Sequence, residues 1–539
     1  MPASSPRKIT RRSCCAALAA APVAGTPRVF APVIVAHPAE NEANPVTLPD
    51  GAIKILYMVR GSHVASIASA DNGRTWSAPR VEFEVPGPTA YACRSFLDRE
   101  GELHVFFLLF RGEGRAIAVD RMLDIWHART LGGRARWMPP HRIWEGYTGA
   151  LRGVAQLRSG RILLPFAAWI PGRASTPPTG SNEVRTIYSD DGGAAWKESP
   201  ARLTSPCTEG YNGSNYGAVE PAIVELADGR VWMLVRTQTG WLYESFSRDG
   251  VEWSPAAPSR FRSSNSPAGL LRLPAGRIAV FWNNCEPPPR VDGQGVYGGR
   301  DALHAAISSD QGRTWRGFRE VYLDPTRHQT PPKKGDRATA YPNADVTRDG
   351  NVVLVTGQGE GRRVVLLFDP RWLLETERRD DFSGGLDGWS VYRSVGPASG
   401  WWRDRVESAR IVDRRLHVPR DGGAVWNFPN GTAGTVTLRL RPEPGAGSIA
   451  LADRFFDPCD DAGEREAIFR LPFARLTPGR WQTVQLAFDT AVRRCNVLLD
   501  GRPAAPLAPT AAGPSGLNYL RLRSGLLVES VAATIRRST

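Results

Sequence analysis

Ser69-Ala-Asp71-Asn-Gly73-Arg-Thr75-Trp76 decides the fold, because it recurs. Ser308-Ser-Asp310-Gln-Gly312-Arg-Thr314-Trp315 repeats it closely, and Ser189-Asp-Asp191-Gly-Gly193 with Trp196 is a near copy. Ser247-Arg-Asp249-Gly250 with Trp253 is one residue shorter, and Gly132-Gly133 before Trp137 is a degraded copy. The five tryptophans fall roughly 60 residues apart, the period of a repeat architecture. Ser and Asp oxygens in such a motif satisfy the amides of a turn, and the Trp fills the space beside the hairpin. The motif therefore marks a fold and not a catalytic site.

A second element keeps the same beat. Leu48-Pro-Asp-Gly51 leads into an alternating apolar run, as do Arg99-Glu-Gly101, Arg158-Ser-Gly160, Ala227-Asp-Gly229, Pro274-Ala-Gly276 and Arg348-Asp-Gly350. Six copies predict six similar sheets, each with a hairpin whose glycine needs φ > 0. Six sheets set radially bury faces that one alone cannot, which predicts an all-β, six-bladed propeller over residues 32–378. The Ser-x-Asp-x-Gly-x-Thr-Trp copies at this spacing resemble the Asp boxes of the sialidase superfamily. After Arg378 the boxes stop. Strands such as Thr435-Val-Thr-Leu-Arg-Leu440 and Trp481-Gln-Thr-Val-Gln-Leu486 alternate instead. Residues 379–539 are expected to form a β-sandwich resembling a concanavalin or laminin-G jelly roll, either a packing module or a glycan-binding one.

Composition sets the outer bounds. With 42% hydrophobic and 23% charged residues the 539-residue chain is globular in composition. No apolar run approaches the roughly 20 residues of a membrane-spanning helix. The net charge of +14 comes from scattered Arg with no basic block, which argues against a nucleic-acid partner. Thr10-Arg11-Arg12-Ser13 before the Ala-rich stretch Cys14 to Ala24 reads as a twin-arginine export signal over residues 1–31, so a periplasmic or extracellular location is expected. Cys93, Cys207, Cys285, Cys459 and Cys495 then remain, too few and too scattered for a disulfide framework, although Cys459 and Cys495 lie in one region where a pair is open. No Cys or His spacing suits a metal, and no cofactor is expected.

The repeat also locates candidate site residues. Nine residues before each turn glycine stand Glu42, Ala92, Leu151, Glu220, Pro267 and Tyr341. Two carboxylates and a phenol thus share one register where a structural strand would carry apolar or small groups. Arg236 follows Gly229 by seven residues, and Asn283 is its equivalent in the next repeat. Glu220-Pro221 through Asp228-Gly229 to Arg236, then Asn283-Asn284, Arg300-Asp301 and Tyr341-Pro342, resemble the bacterial exo-α-sialidases. That resemblance implies Tyr341 as nucleophile, Glu220 as its base, Arg236 and Arg300 as two of three arginines gripping a sugar carboxylate, and Asn283 as a substrate contact. Sialidases are the tyrosine exception among glycosidases.

Two departures matter. Glu40-Asn-Glu42-Ala-Asn-Pro45 carries no Arg where the family has its first one, and Arg60-Gly-Ser-His63 carries no acidic Asp. Arg60, Arg94 or Arg152 is left to fill the first gap, and His63 or Glu42 to donate the proton. The leading expectation is a sialidase-like exo-glycosidase acting on a glycan. The alternatives are a glycosidase or lyase for another, uronate-bearing sugar and a non-catalytic carbohydrate-binding propeller.

Overall fold

A computed structural model describes residues 29–38, 42–59, 61–115, 117–134, 136–171, 180–207, 217–286, 299–330, 339–357, 363–399, 402–511 and 515–536. Most of the expected export signal and Arg60 lie outside these residues. The chain is all-β, and six antiparallel sheets follow one another as the turn-strand repeat predicts. The first runs Asn44–Thr47, Ile53–Val59, His63–Ser69 and Arg80–Glu84. The fourth runs Val219–Glu225, Val231–Arg236, Trp241–Ser247 and Ala257–Arg262. The sixth has Asn343–Val346, Val352–Thr356 and Val364–Phe368, and takes its outer strand, Val33–Ala36, from the start of the chain. All six turn glycines, 51, 101, 160, 229, 276 and 350, have φ between 72° and 95°.

The boxes act as the sequence predicts. In the first, Gly73 N donates to Ser69 Oγ at 2.9 Å, Thr75 N to Asp71 Oδ1 at 2.9 Å, and Trp76 Nε1 to the Gly73 carbonyl at 3.1 Å. The degraded copy borrows its carboxylate. Glu102, from the adjacent turn, accepts Gly133 N at 2.8 Å, Arg134 N at 3.1 Å and Thr130 Oγ1 at 2.7 Å.

The opening strands of the sheets pack on one another. Asn44–Thr47 lies against both Thr89–Leu97 and Asn343–Val346, and Gly269–Arg272 lies between Asn343–Val346 and Val219–Glu225. The approach is close: a Cβ on Gly269 would stand 2.7 Å from the Pro342 carbonyl oxygen. Arg94, Arg152, Ile223, Leu270 and Asn343 are among the residues lining a cavity of about 30 Å3, room for a water molecule.

Beyond these sheets, an eight-stranded and a five-stranded sheet share one core. Val436, Leu438 and Leu440 from the larger sheet meet Trp426, Ile449 and Leu520 from the smaller. Glu377–Asp380 already pairs with Leu526–Ile535 in the larger sheet, so the expected boundary at 378 falls inside a strand. Cys459 and Cys495 are both free, so the pair left open by the sequence does not form; Cys495 is buried within the core.

Candidate active site

Glu42, Glu220 and Tyr341, aligned by the repeat, share a backbone feature. Their φ values are 54°, 48° and 62°. Non-glycine residues pay of order 1–2 kcal/mol for that left-handed region, and such strain concentrates at functional positions. Leu151 and Pro267, at the same register, do not adopt it. In the fourth sheet the pairing register slips between Val219 and Ala222, a bulge that re-aims Glu220.

The three side chains enter one buried polar cluster. Tyr341 Oη donates to Glu220 Oε1 at 3.1 Å. Arg236 Nη1 donates to Glu220 Oε2 at 2.7 Å and to Tyr341 Oη at 3.2 Å. Arg152 and Arg300 place their guanidinium carbons 5.2 and 5.5 Å from the Tyr341 ring centre. Asn265 ties the arginines together: its Oδ1 accepts Arg236 Nε at 2.7 Å and its carbonyl accepts Arg300 Nη2 at 2.8 Å. Burial, reinforced by the Glu220 carboxylate, pushes the Tyr341 phenol above its usual range, and Arg236 and Arg300 oppose that shift. Burial pushes Glu42 up to about 8; the Arg152 charge opposes this and Glu220 adds to it. A value near 8 keeps the Glu42 carboxyl protonated at neutral pH, while Glu220 is ion-paired with Arg236 at 2.7 Å.

Several polar atoms in and beside this cluster make no hydrogen bond. Glu42 Oε2, Arg94 Nε, Arg152 Nε and Nη1, and Asn265 Nδ2 are buried without a hydrogen-bond partner. Buried polar atoms are seldom left so, and those of Glu42, Arg152 and Asn265 are the acceptor and donors that a polar ligand could use.

Residues 94–354 match the family model of the BNR repeat-like domain. The match runs from the second sheet into the sixth and includes Glu220, Arg236, Arg300 and Tyr341, while Glu42 lies before it. Among solved structures, the chain is similar to a Trypanosoma rangeli sialidase in complex with 2,3-difluorosialic acid (13% identity, 93% of this chain and 92% of that one, TM-score 0.42). It is similar to a protein of unknown function from Dyadobacter fermentans (17%, 64% and 99%, 0.45) and to the NanB sialidase of Streptococcus pneumoniae (13%, 63% and 71%, 0.42). No curated protein matches the chain.

The remaining candidates are placed differently. Arg94 Nη1 donates to Asn44 Oδ1 at 2.7 Å and Asn343 Oδ1 at 2.8 Å, bracing the first, second and sixth sheets where they meet. Asn283 is a structural tie, donating to the Ala302 carbonyl at 2.7 Å and accepting from Ser266 Oγ at 2.6 Å. His63 meets the neighbouring Ser62 hydroxyl, and no hydrogen bond links it to Tyr341, Glu220 or Glu42. Arg60 lies outside the described residues; of the two described arginines left to fill the first-sheet gap, Arg94 and Arg152, it is Arg152 that lies over Tyr341. Its Nη2 donates to the Pro342 carbonyl at 2.6 Å, which leaves Nε and Nη1 for a ligand. Asn265 carried no sequence signal, because its role comes from two neighbours and not from its own repeat.

Proposed function

We propose that the chain is a sialidase-like exo-glycosidase that removes a terminal, carboxylate-bearing sugar from a glycan. In this reading the six sheets are propeller blades, the sheets from Glu377–Asp380 onward form a β-sandwich, and the twin-arginine pattern exports the protein. The observation that carries the reading is the Tyr341–Glu220–Arg236 triangle with Arg152 and Arg300 over the same ring.

Tyr341 Oη attacks the anomeric carbon and its proton passes to Glu220. A phenol relayed through a carboxylate suits a centre beside a sugar carboxylate, which would repel a carboxylate nucleophile. Glu42 gives its proton to the departing glycosidic oxygen. Water then attacks the same carbon, its proton returns to Glu42, and Tyr341 leaves and recovers its proton from Glu220. Arg152, Arg236 and Arg300 hold the substrate carboxylate, each charge-assisted hydrogen bond contributing about 1.5–3 kcal/mol. In this reading Arg152 takes the part of the first-sheet arginine that the sequence lacks.

A sialoside, a uronide and a neutral arabinoside assayed side by side test this. Turnover of a carboxylated sugar and not of the arabinoside is expected. Preference for the arabinoside would overturn it, and binding without turnover of any of the three would favour a non-catalytic lectin.

A further inference from the structure

Asp301 follows Arg300 directly, and its carboxylate is held from the far part of the chain. Arg405 Nη1 donates to Asp301 Oδ1 at 2.6 Å and Nη2 to Oδ2 at 3.3 Å, a two-pronged ion pair. Arg405 also donates to the Arg327 carbonyl at 2.7 Å and lies 3.6 Å from the Tyr392 ring centre. Tyr392 Oη in turn donates to Asp301 Oδ2 at 3.4 Å. Arg405 and Tyr392 belong to a two-stranded ribbon, Tyr392–Ser399 with Trp402–Glu407, that lies beyond the six sheets in sequence. Both partners of the ion pair are mostly buried, with side-chain exposures of 12% and 5%. Removing one would leave the other charge uncompensated away from water.

The backbone between residues 300 and 301 is thus fixed from both sides. Thr339 Oγ1 donates to the Arg300 carbonyl, and the Asp301 carbonyl accepts Asp324 N at 3.1 Å. Arg300 projects from this anchored point toward the Tyr341 ring. A guanidinium pairs with a carboxylate through a planar fork, so small rotations of its root spoil the geometry.

We propose that Arg405 is a positioning residue: through Asp301, the C-terminal ribbon aims Arg300, so the affinity of the site for an acidic sugar depends on a contact outside the six sheets. The substrate part of this rests on the function proposed above; the placement of Arg300 does not. Full-length Arg405→Met and Arg405→Lys variants test it. Arg405→Met should raise KM for the carboxylated substrate about tenfold or more while kcat changes by less than about threefold. Arg405→Lys keeps the charge without the fork, so it should fall between; it also decides the matter if the Met variant does not fold. A crystal structure of either variant should show Arg300 displaced from the Tyr341 ring. Unchanged KM, or a loss confined to kcat, overturns the proposal. If the natural chain turns over no sugar, the functional reading fails by itself. The position of Arg300 in Arg405→Lys then decides the coupling: displacement supports it and an unmoved Arg300 overturns it.

Discussion

Three residues with φ near 50° to 60° do the proposed chemistry, and each makes a separate prediction. Tyr341→Phe keeps the ring under Arg152 and Arg300 but removes the attacking oxygen. Turnover of the best substrate should fall by at least about two decades, with thermal stability little changed. In the proposed mechanism Glu42 is the acid, with burial pushing its carboxyl up to about 8. The rate, kcat/KM, should therefore decline above pH 8 as Glu42 ionises. Glu42→Gln should lose roughly two or more decades in turnover; a variant with unchanged turnover would remove Glu42 from the chemistry. Stability follows the same shift. The unfolded chain releases this proton near 4.5 and the folded chain only near 8, so between those values the folded state binds more protons and is destabilised as pH rises. Urea titrations at pH 5 and pH 8 should show the wild type losing stability relative to Glu42→Gln over that interval. Glu42, Glu220 and Tyr341 were legible because they share one register of a visible repeat. Arg152 stands one residue past that register in the third repeat and reaches Tyr341 only through folding, so the sequence could name it as one of three candidates and no more. Asn265 and Asn44 act by bridging neighbours, and no spacing announces that.

At the scale of the element, turns and boxes were the most legible features because their chemistry is local. In the first box five residues of one hairpin, Ser69, Asp71, Gly73, Thr75 and Trp76, supply both donors and acceptors. The degraded second copy shows the limit: Glu102 replaces the missing Asp from another turn, a substitution across strands that a linear motif cannot display. The boxes are far from Tyr341 in function. Asp310→Ala should lower the thermal midpoint by removing the acceptor of Thr314 N and Thr314 Oγ1, and should leave kcat unaltered. The opening strands behave oppositely. Gly269→Ala puts a Cβ at 2.7 Å from the Pro342 carbonyl, the oxygen that also accepts Arg152 Nη2. It should cost about 1–3 kcal/mol in denaturant titration, the usual penalty of overpacking, and should reduce turnover as well, because the displaced residue adjoins Tyr341.

Over the whole molecule, sequence repetition showed six sheets but not how the sixth is completed. Val33–Ala36 pairs with Val364–Phe368, a contact more than 300 residues apart in sequence that no local pattern carries. Removing residues 1–37 should expose the edge of that last strand and lower the thermal midpoint, since an unpaired edge loses its ladder of hydrogen bonds. The buried ion pair between Asp301 and Arg405 was equally hidden, because its partners stand 104 residues apart in sequence. The proposed mechanism turns on the Tyr341 phenol, and a single measurement reaches it: peptide-mapped mass spectrometry after mixing the protein with a fluorinated, carboxylate-bearing sugar that slows release of the covalent intermediate. A sugar adduct on Tyr341, absent from Tyr341→Phe, is the expected result. An adduct on Glu220 or Glu42, or turnover of the parent sugar with no adduct on Tyr341, would contradict the mechanism.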